Sequence, residues 1–316
     1  MQRFRLNPSG LGLSNLSPSN LSLSKLARLH QLTRTALLTA ACVLLSVTAH
    51  SNPNLKPNTN PEAPSTAAQV DQRPALIIII DDVGYNGPLG NRTVALPGPL
   101  NLAFLPHTPH AKRLARAAKA KGHGIMLHAP MANETGAALG PGALTEDMDR
   151  DAIQTTLRES IASIPGIEGV NNHMGSRLTT RPEHMQWVME VVKESGLYFI
   201  DSLTNPASVA EKTAKAFGIL TDQRHVFLDN DPDLGPLVDQ FAKAVSTAER
   251  DGEAILIGHP YPETVAFLEA VLPPLIASGE IQLMRADEHL MRQAWLNPDE
   301  HPAPEGRLAL RLNRPQ

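Results

Sequence analysis

Residues 75–80 read Ala-Leu-Ile-Ile-Ile-Ile and stop abruptly at Asp81-Asp82-Val83-Gly84. An aliphatic, mostly β-branched run with no polar face predicts a strand buried on both sides. Shorter apolar runs recur at 100–105, 124–127, 169–171, 197–200, 226–228, 254–257 and 281–284. Between them the period becomes helical. A basic helix at 110–121 stops at Gly122, and a longer one covers about 149–164. Thr180-Arg181-Pro182-Glu183 reads as a capping box opening a helix to Ser195, closed by Gly196. This alternation predicts a parallel sheet with helices outside, and residues 74–297 suit one (β/α) barrel.

The polar residue that first follows each run is the next clue. These are Asp81 and Asp82, His107, His128, Asn172 and His173, Asp201 and Ser202, Asp229, His259, and Arg285. In α/β folds the carboxyl ends of parallel strands hold ligands and chemistry, so closure into a barrel gathers these residues on one rim. Two adjacent carboxylates repel, and a cation or a proton must hold them. One carboxylate and two imidazoles leave open positions on a metal, as catalytic zinc sites do. A spare Asp and a spare His then remain for proton transfer in hydrolysis of an amide or ester.

The flanks break the pattern. Residues 1–49 hold no acid but five basic residues, Arg3, Arg5, Lys25, Arg28 and Arg34, ahead of an apolar run at 36–49. That run is short for a bilayer span and fits a signal peptide cut after Val47-Thr48-Ala49, with an uncleaved anchor as the competing expectation. Residues 50–73 are rich in Pro, Asn, Ser and Thr and read as a disordered linker, and 298–316 as a C-terminal tail. The expected location is periplasmic or secreted, touching the membrane only through the signal segment.

Composition narrows the chemistry. Cys42 is the single cysteine and lies in the signal segment, so the mature chain has neither disulfide nor thiolate ligand. The chain has 28 basic and 32 acidic residues, and losing the signal leaves 23 against 32, a net of −9. Such a charge argues against nucleic-acid binding. Aromatics at 4% poorly supply a sugar groove.

Several motifs together resemble one family. Ile80-Asp81-Asp82-Val83-Gly84, Leu102-Ala-Phe-Leu-Pro106, Met126-Leu-His128-Ala-Pro-Met131, Asn171-Asn-His173-Met-Gly-Ser-Arg177, Phe199-Ile-Asp201-Ser202 and Ile257-Gly-His259-Pro260 are similar to the divergent polysaccharide deacetylases, distant relatives of NodB-type carbohydrate esterases. The resemblance spans about 75–296. It implies a distorted (β/α) barrel of about seven parallel strands and one divalent metal, commonly zinc. It implies Asp81 as base, Asp82 and His128 as metal ligands, and His259 as the late catalytic histidine. The NodB pattern has a second histidine four residues after the first, where this chain has Ala132, and His173 is the candidate replacement. Arg177, Asp201 and Ser202 are expected to orient the base, the acid or the substrate.

The leading expectation is therefore an exported metal-dependent hydrolase removing acetyl groups from an envelope polysaccharide. A non-catalytic barrel binding glycan or an envelope protein partner is the alternative, and an amidase on peptides or small molecules a third. His107 and His110 form a weaker metal pair. His123, between glycines, reads as a turn residue, and Asp229-Asn-Asp-Pro-Asp233 as a solvated helix entry rather than a calcium loop.

Overall fold

The computed structural model describes residues 71 and 73–297. The expected signal segment, most of the expected linker and the expected C-terminal tail lie outside the described residues. Among the described residues no helix is long and apolar enough to cross a membrane.

Strands and helices alternate. In chain order they are β1 (Ala75–Val83), α1 (Gly87–Ala95), β2 (Asn101–Phe104), α2 (Ala111–Ala120), β3 (Gly124–Met131), α3 (Arg150–Ser163), β4 (Gly169–Met174), α4 (Pro182–Glu194), β5 (Tyr198–Asp201) and α5 (Ala210–Ala216). There follow β6 (Thr221–Gln223), β7 (Val226–Phe227), α6 (Leu234–Asp251), β8 (Glu253–Gly258), α7 (Pro262–Ser278), β9 (Gln282–Leu283) and α8 (Ala286–Leu296). Every strand pair is parallel.

The sheet runs β6-β5-β4-β3-β2-β1-β8-β7, with β9 paired to the first residues of β1. Its two ends, β6 and β7, are joined by only Arg224 and His225. Laid flat, eight strands would separate these edges by about 34 Å. Gln223 and Val226 can be at most about 11 Å apart. The sheet must therefore curl into a half-barrel that nearly meets itself at this seam.

Curling divides the side chains by parity. Leu76, Ile78, Ile80, Leu127, Val170, Phe199 and Leu256 pack outward under the helices in the larger core. Ile77, Ile79, Met126, Tyr198, Ile200, Ile255 and Ile257 fill the lumen. Ala286, Leu290 and Ala294 of α8 complete that inner cluster. They close the barrel at the end where the strands begin.

The same helix brings a charge. His289 is fully buried, with Nε2 2.9 Å from Asp222 and Nδ1 3.1 Å from Glu253. Burial disfavours the imidazolium, but the two carboxylates outweigh it and raise the pKa to about 9. Both ring nitrogens are engaged by acids, so this group ties α8 to β6 and β8.

Several local expectations change. The helix α4 starts one residue later than the capping box requires. Arg181 is its N-cap without a side-chain bond, and Pro182 at N1 sets the start. Thr180 instead sits in a short 3₁₀ turn and donates to the Arg177 carbonyl at 2.8 Å. His123 is buried rather than in an open turn. Its Nδ1 accepts from the Leu100 N–H at 3.2 Å, and its Nε2 lies 3.1 Å from the Val94 carbonyl. Arg285 leaves the rim altogether. It pairs with Asp287 and lies 3.5 Å from Glu168, which precedes β4, so it belongs to the opposite end.

Candidate active site

Parity aims the site. Following the inward residues of each strand upward leads from Ile79 to Asp81, from Met126 to His128, from Asn171 to His173, and from Ile257 to His259. These polar groups crown the apolar lumen at the carboxyl ends of β8, β1, β3 and β4, with β2 between β1 and β3.

Asp82 has the wrong parity and joins them through a backbone irregularity. The β1–β2 register shifts between Ile80 and Val83, and Asp82 takes φ +54°. A bulge with a left-handed residue turns the second carboxylate inward beside the first. Gly84 follows at φ +140°, where a Cβ would lie 2.1 Å from the Thr108 hydroxyl oxygen, so only glycine fits. His107, Met174 and Leu203 also have positive φ at the ends of β2, β4 and β5. Strain of this kind concentrates at functional rims.

Three side chains converge. Oδ1 of Asp82 lies 2.9 Å from Nδ1 of His173 and 3.3 Å from Nε2 of His128, and the two nitrogens are 3.1 Å apart. Ligands held tetrahedrally at about 2.0–2.2 Å from one ion stand roughly 3.4 Å from each other. The Asp82 oxygen is buried without a hydrogen-bond partner, which a cation would satisfy. Burial pushes the Asp82 carboxyl up, but His128 and His173 more than offset it and hold it well below the usual range. The donor set therefore fits a divalent ion. Asp82, His128 and His173 form a metal-capable group by geometry.

The register explains how His173 replaces the histidine expected at 132. In the β3–β4 ladder His128 faces Asn171 and Pro130 faces His173. His173 thus stands one inward position above His128 on the next strand. Ala132 packs at the edge of the outer core, and its carbonyl accepts from the Arg177 and Leu178 N–H groups.

Asn171 organises the pair beneath. Its Oδ1 is 2.9 Å from His128 Nδ1, and its Nδ2 donates to Asp81 at 2.8 Å. With Nδ1 donating there, His128 Nε2 keeps its lone pair for the cluster. Asp81 is 2% exposed. Burial raises its pKa, opposed by the charges of His128 and His259 and by Asn171. His128 is pushed down by burial and up more strongly by Asp81 and Asp82. The two carboxylates therefore demand positive charge between them.

His259 is held from below by Asp229. The buried carboxylate accepts from the His259 N–H at 2.6 Å and from Thr264 at 2.8 Å, and it lies 2.9 Å from His259 Nδ1. Burial lowers the His259 pKa, but Asp229 and Asp81 reverse this and carry it to about 9. Asp229 is thus a buried partner and not a solvated helix entry.

The remaining expected residues are placed differently. The Ser202 hydroxyl lies 3.3 Å from Asn171 Nδ2. Asp201 has outward parity, and it accepts from the Leu203 N–H and from Ser208. The Arg177 guanidinium pairs with Glu146 at 2.6 Å. His107 is exposed and belongs to neither metal-capable group of the described residues, the second being Asp222, Glu253 and His289. Arg224, unremarked in the sequence pattern, donates to the carbonyls of Ser202 and Leu203 at 2.8 and 2.7 Å and feels the charges of Asp201 and Asp81.

A family profile described as divergent polysaccharide deacetylase matches residues 78–290. The chain belongs to this family. It is 36% identical over 218 residues to the uncharacterized protein YibQ of Escherichia coli K12, covering 68% of this chain and 67% of YibQ. It is also 36% identical over 209 residues to an uncharacterized protein of Haemophilus influenzae, covering 66% and 74%. Among solved structures, the uncharacterized protein ATU2773 of Agrobacterium tumefaciens C58 matches with a TM-score of 0.65 and 21% identity, over 68% of this chain and 89% of that one. That likeness shows the half-barrel fold. The profile covers every residue of the candidate site, from Asp81 to His259.

Proposed function

We propose that this divergent polysaccharide deacetylase family member is an exported, metal-dependent hydrolase that removes acetyl groups from an envelope polysaccharide. The observation that carries the reading is the convergence of Asp82, His128 and His173 with Asp81 and His259 beside them. Asp82, His128 and His173 would hold a divalent ion, zinc by donor type. When bound, such an ion supplies Lewis acidity toward the acyl oxygen and the attacking water.

The chain's own residues divide the proton work. Asp81, fixed by Asn171, accepts a proton from the water as its oxygen bonds to the acyl carbon. His259, fixed through Nδ1 by Asp229, presents Nε2 to the leaving nitrogen or oxygen and donates a proton as the bond to the acyl carbon breaks. Acetate and the free amine or alcohol are the products. The buried lumen beneath, filled by Ile77, Ile79 and Ile257, excludes bulk water from Asp81.

Elemental analysis of protein purified without added metal, paired with acetate release from N-acetylated and O-acetylated glycans, tests the reading. The expected result is one ion per chain, lost in Asp82→Ala, His128→Ala and His173→Ala and kept in His107→Ala. Asp81→Asn and His259→Ala should keep the ion and lose hydrolysis by about a hundredfold or more. A metal-free protein, or full activity in Asp81→Asn, would overturn the mechanism. Metal without acetate release would leave a glycan- or protein-binding barrel.

A further inference from the structure

The strand ladder does not close. Among the described residues the edge strands β6 and β7 pair with β5 and β8, and no ladder joins them to each other. At the end where the strands begin, side chains cross this gap instead. Asp222 of β6 stands opposite Ile200, an inward residue. Glu253 opens β8, two residues before the inward Ile255. Both carboxylates therefore share the lumen face, from strands on the two sides of the seam. His289 reaches them from α8.

The three meet closely. One donor atom from each lies within 4.8 Å of the other two. Ligands 2.0–2.2 Å from one ion stand at most about 4.4 Å apart. The Asp222 and Glu253 side chains, 20% and 22% exposed, have room for the small adjustment. The imidazole is fully buried. Its Nε2 lies 2.9 Å from Asp222 Oδ2, which holds the ring in place. Its Nδ1 lies 3.1 Å from Glu253 but has no hydrogen-bond partner. A buried nitrogen beside a carboxylate oxygen, yet out of line for a shared proton, is placed as two ligands of one ion are. Oδ1 of Asp82 has the same character in the rim cluster, close to two imidazoles and without a hydrogen bond. Gln293, one turn after His289, bonds Glu253 and orients it. His225, also on the seam, is committed elsewhere, since its Nδ1 accepts from the Ile255 N–H at 2.9 Å.

Charge points the same way. Two carboxylates against one imidazolium leave a negative charge over in a part-buried place. Against a neutral imidazole, a divalent ion leaves none. One nitrogen and two carboxylate oxygens suit zinc better than magnesium or calcium, which favour oxygen ligands. The exposed edges of the carboxylates give an ion its way in.

We infer that Asp222, Glu253 and His289 form a second divalent-metal site, at the opposite end of the barrel from the candidate active site, and that its ion staples β6, β8 and α8 across the seam. The role is structural and does not depend on a reaction at the rim. In the ion-free protein a proton on His289 holds the same groups, and ion and proton exclude each other. The site therefore fills when metal is supplied. The single ion expected in protein purified without added metal is the one at the rim.

Zinc titration of chelator-stripped protein by isothermal calorimetry tests this, with His128→Ala removing the rim site. His128→Ala should bind one zinc per chain. The same chain carrying His289→Gln should bind none. Asp222→Asn or Glu253→Gln in that background should weaken the site at least about tenfold, equivalent to roughly 1.4 kcal/mol. Glu253→Gln, at a part-exposed position, decides the matter where His289→Gln does not fold by far-UV circular dichroism. Zinc at a hundred times its dissociation constant should raise the melting temperature of His128→Ala by at least about 4 °C and leave the double variant unchanged. A folded His128→Ala that binds no zinc would overturn the inference and leave the rim site standing. Zinc binding that survives all three substitutions would overturn it too, and binding without a rise in melting temperature would remove the staple. Wild type that binds one ion, lost in His289→Gln and kept in His128→Ala, would establish this site and remove the one at the rim.

Discussion

The side chains of His128 and Asn171 face each other across the β3–β4 ladder, with Nδ1 and Oδ1 2.9 Å apart. The same amide donates from Nδ2 to Asp81. One residue thus sets the tautomer of a proposed ligand and the orientation of the proposed base.

Replacing Asn171 with Leu should therefore damage both functions at once. Metal affinity, measured by competition with a chelator, should fall by about 10–100-fold, the usual cost of losing a partner behind a ligating histidine. Retention of wild-type affinity would show that His128 needs no such support.

Asp229→Asn should act through His259. The carboxylate raises the His259 pKa toward about 9, so removing its charge lowers that value. A group that must be protonated to donate loses function as pH rises through its pKa. The alkaline limb of the hydrolysis profile should accordingly move to lower pH, with metal content unchanged. A limb at the wild-type position would dissociate Asp229 from the proton donor.

His289 makes stability pH-dependent. It is faced by Asp222 of β6 and Glu253 of β8, the latter also bonded by Gln293 of its own helix. Its folded pKa of about 9 lies above the ordinary value of 6.5, so the folded state binds the proton more tightly. The stabilisation is fully present below about pH 6.5 and is lost as pH rises through about 9. Melting temperature should fall by at least about 2–4 °C between pH 7 and pH 10. His289→Gln should melt lower at pH 7 and lose most of that slope. An equal slope in the variant would place the effect elsewhere.

The export proposal fixes a mature N-terminus at or near His50, because residues 1–49 combine an acid-free basic region, a short apolar run and Val47-Thr48-Ala49. Mass spectrometry of protein recovered from the envelope checks this. A chain retaining residues 1–49 would indicate an anchor.

Much of the barrel was legible in the order of residues. A continuous apolar run cannot sit in a one-sided sheet, so the run at 75–80 already required helices on the outside of a parallel sheet. Inward parity from Ile79 to Asp81 and from Ile257 to His259 follows from the two-residue repeat alone. The same repeat, however, directs Asp82 outward. Only the register shift and the left-handed backbone at that residue bring it to His128 and His173.

The remaining site depends on neighbours far apart in the chain. Asn171 acts across 43 residues on His128, and Asp229 across 30 on His259. Neither distance leaves a local pattern, so Asp229 read as the start of a solvated helix entry. Residue order set most of the elements, the strand faces other than that of Asp82, and the stock of carboxylates and imidazoles. Tertiary structure decided which of them meet. Local periodicity records burial residue by residue, whereas contact between strands depends on register, and a one-residue shift there changes which side chains share a face.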